Sequence, residues 1–229
     1  MTEHTVRAVD NDLGLLAGMV RRLGTLCVTQ IEQAVAALDE SDPALAEKVI
    51  AGEQGIDALR DEIEEKAVGV VARRQPLAGD LREIIGALRI ANDLERVGDL
   101  AENVARGVIE PDAERRLGGV MMRIQHMAEL ALAQLRQVLR AYELRDAALA
   151  VEVWRNDEDI DTLENGLFRE LLTYMMENAR NVGFCSFLLL CSKNLERIGD
   201  HATNIAESVY YIVEGQQMSG ERPKASLIA

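Results

Sequence analysis

Apolar side chains recur every three or four residues along nearly the whole chain of 229 residues. This spacing places them on one face of an α-helix. The pattern is interrupted at 41–43, 75–80, 110–112, 143–146 and 181–183, and Asp42-Pro43 is typical of a helix start. The pattern therefore predicts six helices, which span about 8–40, 43–73, 79–109, 113–143, 146–180 and 184–214.

Two parts of the chain resemble each other. Residues 93–106 read DLERVGDLAENVAR and residues 194–207 read NLERIGDHATNIAE, with eight of fourteen positions identical. A second similarity is between IDAL at 56–59 and IDTL at 160–163. Because long helices joined by short loops are typical of antiparallel bundles, we predict an all-α protein of two tandem three-helix bundles with an internal pseudo-two-fold repeat. The predicted units are 1–111 and 112–215, and we expect the tail 216–229 to be disordered.

The repeated motif places two carboxylates four residues apart, on the same face of a helix. A companion pair stands on the second helix of each half. The pairs are Glu53/Asp57 and Glu95/Asp99 in the first half, and Asp157/Asp161 and Glu196/Asp200 in the second. Like charges at this spacing repel, and a glycine inside a helix costs about 1 kcal/mol relative to alanine. Since the arrangement is locally unfavourable and occurs twice, we expect another interaction to compensate for it.

Two interpretations of the acidic pairs remain open. Carboxylates are hard ligands that suit a divalent or trivalent cation, and Gly98 and Gly199 would let a neighbouring helix bring its own pair close. Asn103 and Asn204, eight residues after each glutamate, would then supply further oxygen ligands. The other interpretation is ordinary surface salt bridges, formed between side chains three residues apart. Candidate pairs are Arg96 with Asp99, Arg197 with Asp200, and Lys193 with Glu196.

The net charge of −14 opposes direct binding of nucleic acid and suits cations or basic partner surfaces. The three cysteines lack paired spacing, so we expect buried free thiols in a reducing cytosol. The N-terminus lacks the pattern of a signal peptide, and the most apolar run, 182–191, is about half as long as a membrane span. We therefore expect a cytoplasmic protein.

Motifs of catalysis are missing from the sequence. No histidine follows a glutamate by three residues, as carboxylate-bridged di-iron sites require, and there is no phosphate-binding glycine loop or nucleophile elbow. His201 stands beside the second acidic pair, but the equivalent position in the first half is Leu100. We expect His201 to lie on the surface of its helix.

The segments LERVGDLAENVA and LERIGDHATNIAE, with QPLAGDLREI ahead of the first, strongly resemble the PhoU family of phosphate-signalling proteins. The resemblance covers essentially the whole chain. It implies a helical, dimeric protein that is not an enzyme. It also implies that the four acidic pairs bind metal ions, such as Mg, Mn, Fe or Zn. The second half lacks a counterpart of 75–82, so a role of Arg82 would exist in one half only.

The resemblance further implies a negative regulator of phosphate uptake and of the Pho regulon. Such an adaptor links the ATPase of the high-affinity phosphate ABC transporter to the sensor histidine kinase PhoR and its response regulator. It reaches the membrane only through these partners. Two other classes of function stay open, namely a carboxylate-bound metalloprotein with a hydrolytic or metal-storage role, and a purely structural helical protein.

Overall fold

The computed structural model describes residues 3–109, 118–156 and 158–219. These residues form seven α-helices and one short 3₁₀-helix at Ala179–Asn181. The α-helices are α1 Glu3–Glu40, α2 Pro43–Arg74, α3 Ala78–Val108, α4 Gly118–Leu144, α5 Ala147–Arg155, α6 Glu158–Glu177 and α7 Val182–Glu214. The loop expected at 110–112 and most of the tail, 220–229, lie outside the described residues. Within the described ranges, no helix is both long and apolar enough to cross a membrane.

In each half, an aspartate caps the N-terminus of the second helix. The Asp42 carboxylate accepts hydrogen bonds from the backbone N–H groups of Ala44 and Leu45, at 2.9 and 3.1 Å. Asp146 caps α5 in the same way, and a residue with positive φ precedes each cap, Ser41 at 53° and Arg145 at 51°. A capping carboxylate satisfies N–H groups that the first helical turn leaves without a partner. The helix start predicted at 41–43 is confirmed.

The six-helix plan of two three-helix bundles is confirmed, with its fifth helix divided into α5 and α6. Helices α1, α2 and α3 pack together, and α4, α5, α6 and α7 form the second bundle. The bundles join along α3 and α7, and α1 also contacts α4. Buried side chains of both halves, such as Leu94 and Leu195, belong to one continuous core. All three cysteines are buried free thiols, as expected.

Glycines let the two bundles approach closely. A Cβ atom added to Gly24 on α1 would lie 2.5 Å from Leu139 Cδ2 on α4. On α3, a Cβ atom at Gly86 would overlap Ile212, and one at Gly107 would overlap the Phe187 ring. The interface is therefore specified partly by the absence of side chains at these positions.

The break between α5 and α6 corrects the predicted helix 146–180. Asn156 has a non-helical backbone, with φ −94° and ψ 29°, and its carbonyl accepts a 2.8 Å hydrogen bond from Gln134 Nε2. The equivalent positions in the first half are Gly52 and Gln30, 104 residues earlier. A Cβ atom on Gly52 would lie only 2.9 Å from Gln30 Oε1. At this position the first half has a glycine and its helix, α2, is continuous. The second half has Asn156 there, and its helix is interrupted.

Candidate acidic sites

The first acidic site consists of Glu53 and Asp57 on α2 with Glu95 and Asp99 on α3. Gly98 brings the helices together, because a Cβ atom there would lie 2.9 Å from Ile56 Cδ1 and 3.7 Å from Glu53 Oε1. Glu53 is only 8% exposed. Its Oε1 atom is buried and has no hydrogen-bond partner among the described residues. The close approach expected at Gly98 therefore places a buried carboxylate against α3.

The carboxylates of this site repel one another. Burial raises the pKa of Glu53 to about 7, and the charges of Asp57, Asp99 and Glu102 add to the effect. Burial also raises the pKa of Glu95, and Asp99 adds to it, while Arg96 and Arg60 oppose the change. Such raised pKa values mean that burial first, and the neighbouring carboxylates second, disfavour the charged forms of Glu53 and Glu95 in the folded protein. Glu102 belongs to this cluster although the repeat does not reveal it, because the equivalent residue in the second half is Thr203.

Arginine and lysine side chains take part in both sites. Arg96 Nη1 lies 2.8 Å from Asp99 Oδ2, and Arg96 Nε lies 3.3 Å from Glu95 Oε2. The Arg96 side chain is 60% exposed, so these ion pairs contribute little to stability. In the second half, Lys193 Nζ lies 2.8 Å from Glu196 Oε1. The salt bridges predicted for Arg96 and Lys193 are thus present.

The second acidic site combines Asp161 on α6 with Glu196 and Asp200 on α7, and its fourth predicted member, Asp157, lies outside the described residues. Glu196 Oε2 is buried without a hydrogen-bond partner among the described residues. Burial raises the pKa of Glu164, Lys193 opposes the change, and the carboxylates of Glu196 and Asp161 add to it. Sequence reasoning missed Glu164, since the equivalent residue in the first half is Arg60, of opposite charge.

The other predicted residues lie elsewhere. Asn103 is exposed, while Asn204 Nδ2 donates a 3.3 Å hydrogen bond to Asp93 Oδ1 across the α3–α7 interface. His201 Nδ1 lies 2.9 Å from the same oxygen, and its side chain is 17% exposed. The expectation that His201 lies on the helix surface is therefore wrong, because α3 covers it.

The Arg82 side chain extends from α3 to the end of α7. There it lies against Gly215, which has a φ of 74°. A Cβ atom on Gly215 would overlap the Arg82 guanidinium group. Arg82 Nε is buried and has no hydrogen-bond partner among the described residues. The side chain therefore covers the C-terminal end of α7.

The donor atoms fit a hard cation in their chemistry, since carboxylate oxygens suit such ions and each site has one buried oxygen without a partner. The arrangement of these side chains falls short of a metal site. In the part of the chain that the structure describes, no three His, Cys, Asp or Glu side chains are grouped closely enough to hold a metal ion.

Fold and sites together define a duplicated helical-bundle protein whose halves each carry acidic residues on the second and third helices. The family model described as the PhoU domain matches residues 20–108 and again 124–209. The chain belongs to the PhoU family.

Relatives match over essentially the full length. The phosphate-specific transport system accessory protein PhoU homolog of Rhizobium meliloti (strain 1021) is 48% identical over 221 residues, 96% of this chain and 93% of that protein. The protein of the same name from Caulobacter vibrioides (strain NA1000 / CB15N) is 41% identical over 229 residues, the whole of both chains.

Two crystal structures share the fold. PhoU from Pseudomonas aeruginosa has a TM-score of 0.80 and 35% identity, covering 94% of this chain and 100% of that one. The phosphate transport system regulatory protein PhoU from Streptococcus pneumoniae has a TM-score of 0.83 and 26% identity, covering 92% of this chain and 99% of that one.

Proposed function

We propose that this protein is an accessory protein of a phosphate-transport system, in which it restrains phosphate uptake and keeps the Pho regulon off when phosphate is plentiful. The observation that carries the proposal is the full-length similarity to accessory proteins of phosphate-specific transport, at 48% identity for the Rhizobium meliloti protein. In this role the protein is a regulator and not an enzyme. It acts in the cytoplasm and reaches the membrane through its partners.

The regulator acts as an adaptor, as a homodimer, between the ATPase of the phosphate ABC transporter and the sensor histidine kinase PhoR. Its net charge of −14 supports docking on basic surfaces of these partners. Exposed charges are screened by salt, with a screening length of about 10 Å at 0.1 M ionic strength.

The salt dependence of partner binding is therefore a direct prediction. The association of the purified protein with either partner should weaken by about tenfold or more between 50 and 300 mM NaCl, mainly through a slower association rate. Biolayer interferometry at several salt concentrations measures both rates. An affinity that does not change with salt would contradict the electrostatic part of the adaptor model.

Gene deletion tests the regulatory role. In phosphate-rich medium, a strain without this gene should show high alkaline phosphatase activity and excess phosphate accumulation, and a plasmid copy should reverse both. Unchanged phosphatase and uptake in a strain with no second gene of this family would contradict the proposal.

We further propose that both acidic sites bind hard cations such as Mg, Mn or Fe, with Zn as the softer alternative. The ligands would come from the first acidic site on α2 and α3, and from Asp157, Asp161, Glu196 and Asp200 in the second. The buried, unpartnered oxygens of Glu53 and Glu196 and the mutual repulsion of the carboxylates support this. A bound cation would compete with Arg96 and Lys193 for the same carboxylates.

Metal content provides the test. Protein purified without chelators should contain metal, measured by mass spectrometry, and the double substitution Glu95→Gln with Asp99→Asn should remove the metal of the first site. Asp61→Asn with Glu65→Gln is the matched control, because these residues are also four apart on a helix but lie on its exposed side. Equal metal content in both variants would exclude Glu95 and Asp99 as ligands.

A further inference from the structure

An exposed apolar stripe runs along α6 in the second half. Phe168, Leu172 and Met176 stand four residues apart, so they lie on successive turns of one helix face. All three side chains are exposed to solvent, Met176 at 86%. Single exposed apolar side chains are ordinary on a protein surface, whereas a contiguous row of them is typical of a binding surface.

Helix α7 continues this surface. The connection between α6 and α7 spans only 178–181, so the two helices pack side by side and antiparallel. Leu190 on α7 is 66% exposed, and Lys193 follows it by one turn. The charge of Lys193 acts on Glu164, which precedes Phe168 by one turn of α6. Phe168 and Leu190 therefore border the same groove between the two helices.

The exposed residues of 168–193, which we call the α6–α7 surface, differ in charge from the chain as a whole. Five of them are large and apolar. Their charged members are three basic side chains, Arg169, Arg180 and Lys193, against one acidic side chain, Glu177. The formal charge of this surface is thus +2, whereas that of the chain is −14. The surface stays positive even though Lys193 also pairs with Glu196.

The first half does not repeat the α6–α7 surface. Where the second half has Phe168 and Arg169, the first half has two acidic residues, Glu64 and Glu65, 104 residues earlier. The position 101 residues before Leu190 is also charged, since it is Arg89. A three-helix bundle of this family therefore forms with charges at these positions, and the exposed apolar side chains of the second half are not required for packing.

We propose that the α6–α7 surface binds an amphipathic helix of a partner protein, one with an apolar face flanked by acidic residues. The apolar face of that helix packs along the α6 stripe and Leu190, as helices bound in grooves do. The flanking acids pair with Arg169 and Arg180. This surface is separate from the acidic faces proposed above to meet basic partner surfaces, and the inference does not rest on that proposal.

Two other occupants fit the charges less well. A second copy of the chain would present the same positive surface, and like charges repel. An anionic membrane is broad enough to cover the second acidic site as well, because Asp161 and Glu196 lie within two turns of Phe168 and Leu190. Those carboxylates would repel it. A single helix can lie on the α6–α7 surface alone.

Fluorescence anisotropy of labelled synthetic peptides, measured with the purified full-length protein, tests the proposal. The probe is a helix of about five turns with leucines on one face and glutamates beside them. Because the chain as a whole repels a negative peptide, binding of this probe reports on a local positive surface. Peptides with glutamine in place of glutamate, or alanine in place of leucine, should bind at least about tenfold more weakly. Equal binding of the glutamate and glutamine peptides, or no binding of the glutamate peptide, would overturn the proposal.

Substitutions locate the binding on this surface. Leu172→Glu with Met176→Glu should abolish it, and Arg169→Glu should weaken it by about tenfold. The matched control is Val68→Glu with Ala72→Glu, at the equivalent exposed positions of α2, and it should bind the peptide like the parent. Circular dichroism checks that all variants keep their helices. Peptide binding that survives Leu172→Glu with Met176→Glu would contradict the assignment.

The same double variant separates the other occupants. Self-association in sedimentation velocity that this variant abolishes would assign the surface to a second copy. Cosedimentation of the parent, but not of the variant, with phosphatidylglycerol vesicles would assign it to a membrane. Either result would overturn the assignment to a partner helix.

Discussion

At the scale of single residues, Glu53 shows most clearly how a buried acidic side chain lowers the stability of the folded protein. The side chain is buried by the close packing of α2 on α3 at Gly98. Its carboxylate faces the charges of Asp57, Asp99 and Glu102, so the folded protein binds a proton there more tightly than the unfolded chain does. This makes stability depend on pH in a direction opposite to that of an ordinary salt-bridged carboxylate.

The substitution Glu53→Gln tests this effect. From about pH 4.5 to about pH 7 the folded metal-free protein keeps the proton of Glu53 while the unfolded chain loses it, so the free energy of unfolding falls as pH rises. The glutamine variant should be about as stable as the parent below this window and roughly 1–2 kcal/mol more stable above pH 7, after allowance for solvent screening. Urea denaturation with chelator present measures the difference.

Glu47→Gln on the same helix is the control, because Glu47 is exposed. Its stability should follow the parent at every pH. A Glu53→Gln variant that loses stability above pH 7 would show that the carboxylate is stabilised by a partner rather than repelled.

The sequence predicts the acidic pairs themselves, because residues four apart on one helix must share a face. It does not predict which side chains meet them from a neighbouring helix. Glu102 and Glu164 stand three residues after Asp99 and Asp161 and so share their helix faces, but the repeat conceals them because their counterparts are Thr203 and Arg60. Nor does the sequence show that Asn204 faces Asp93 on the other bundle.

At the scale of the helices, small residues decide how closely neighbours pack. Gly24, Gly86 and Gly107 lie where α1 meets α4 and where α3 meets α7. The position 101 residues after Gly86 is Phe187, whose ring packs on Gly107. The two halves therefore make unequal contacts along the same interface, although their sequences are related.

Gly107→Ala should destabilise the protein by about 1–3 kcal/mol, because the new methyl group would overlap the Phe187 ring. Gly55→Ala is the matched control on α2, where a Cβ atom has open space, and it should stabilise by about 0.5–1 kcal/mol. Chemical denaturation of the parent and the two variants measures these differences in the free energy of unfolding. Two alanine variants that are both more stable than the parent would refute the packing argument for Gly107.

Helix boundaries follow from the sequence where a local signal exists. Asp42-Pro43 marks the start of α2 by capping chemistry that involves only neighbouring residues. The interruption at Asn156 has a weaker local signal, two residue types that favour helix starts, and it also involves a hydrogen bond from Gln134 on α4 that no local pattern shows. Apolar periodicity continues across the break, so the pattern alone predicts one helix there.

At the scale of the whole molecule, the described parts of both repeats share one core, and α3 packs along α7. The repeats are thus units of sequence whose stability depends on each other. We expect them to unfold together in a single transition. Trp154 fluorescence reports on the second repeat and far-UV circular dichroism on all helices, so their urea transitions should coincide. Separate midpoints would show that the repeats fold independently.

The unit boundaries 1–111 and 112–215 remain a prediction, and so do the metal ions, the dimer and the protein partners. The sequence reveals the duplication because the two acidic motifs retain matching residues at a constant offset. The surfaces that meet other proteins leave no comparable pattern in one chain, since a docking face is complementary to a partner rather than to itself.

The central claim is the proposed role in phosphate regulation, and the most direct test of that role, and of whether the acidic sites take part in it, is complementation of a deletion strain. Alkaline phosphatase activity is measured in phosphate-rich medium with the parent gene and with the variant Glu95→Gln, Asp99→Asn, Glu196→Gln, Asp200→Asn. The control carries Asp61→Asn and Glu65→Gln. We predict that the parent and the control restore low activity and that the fourfold variant, folded and present at equal amounts, leaves activity high. Full repression by the fourfold variant would contradict the account.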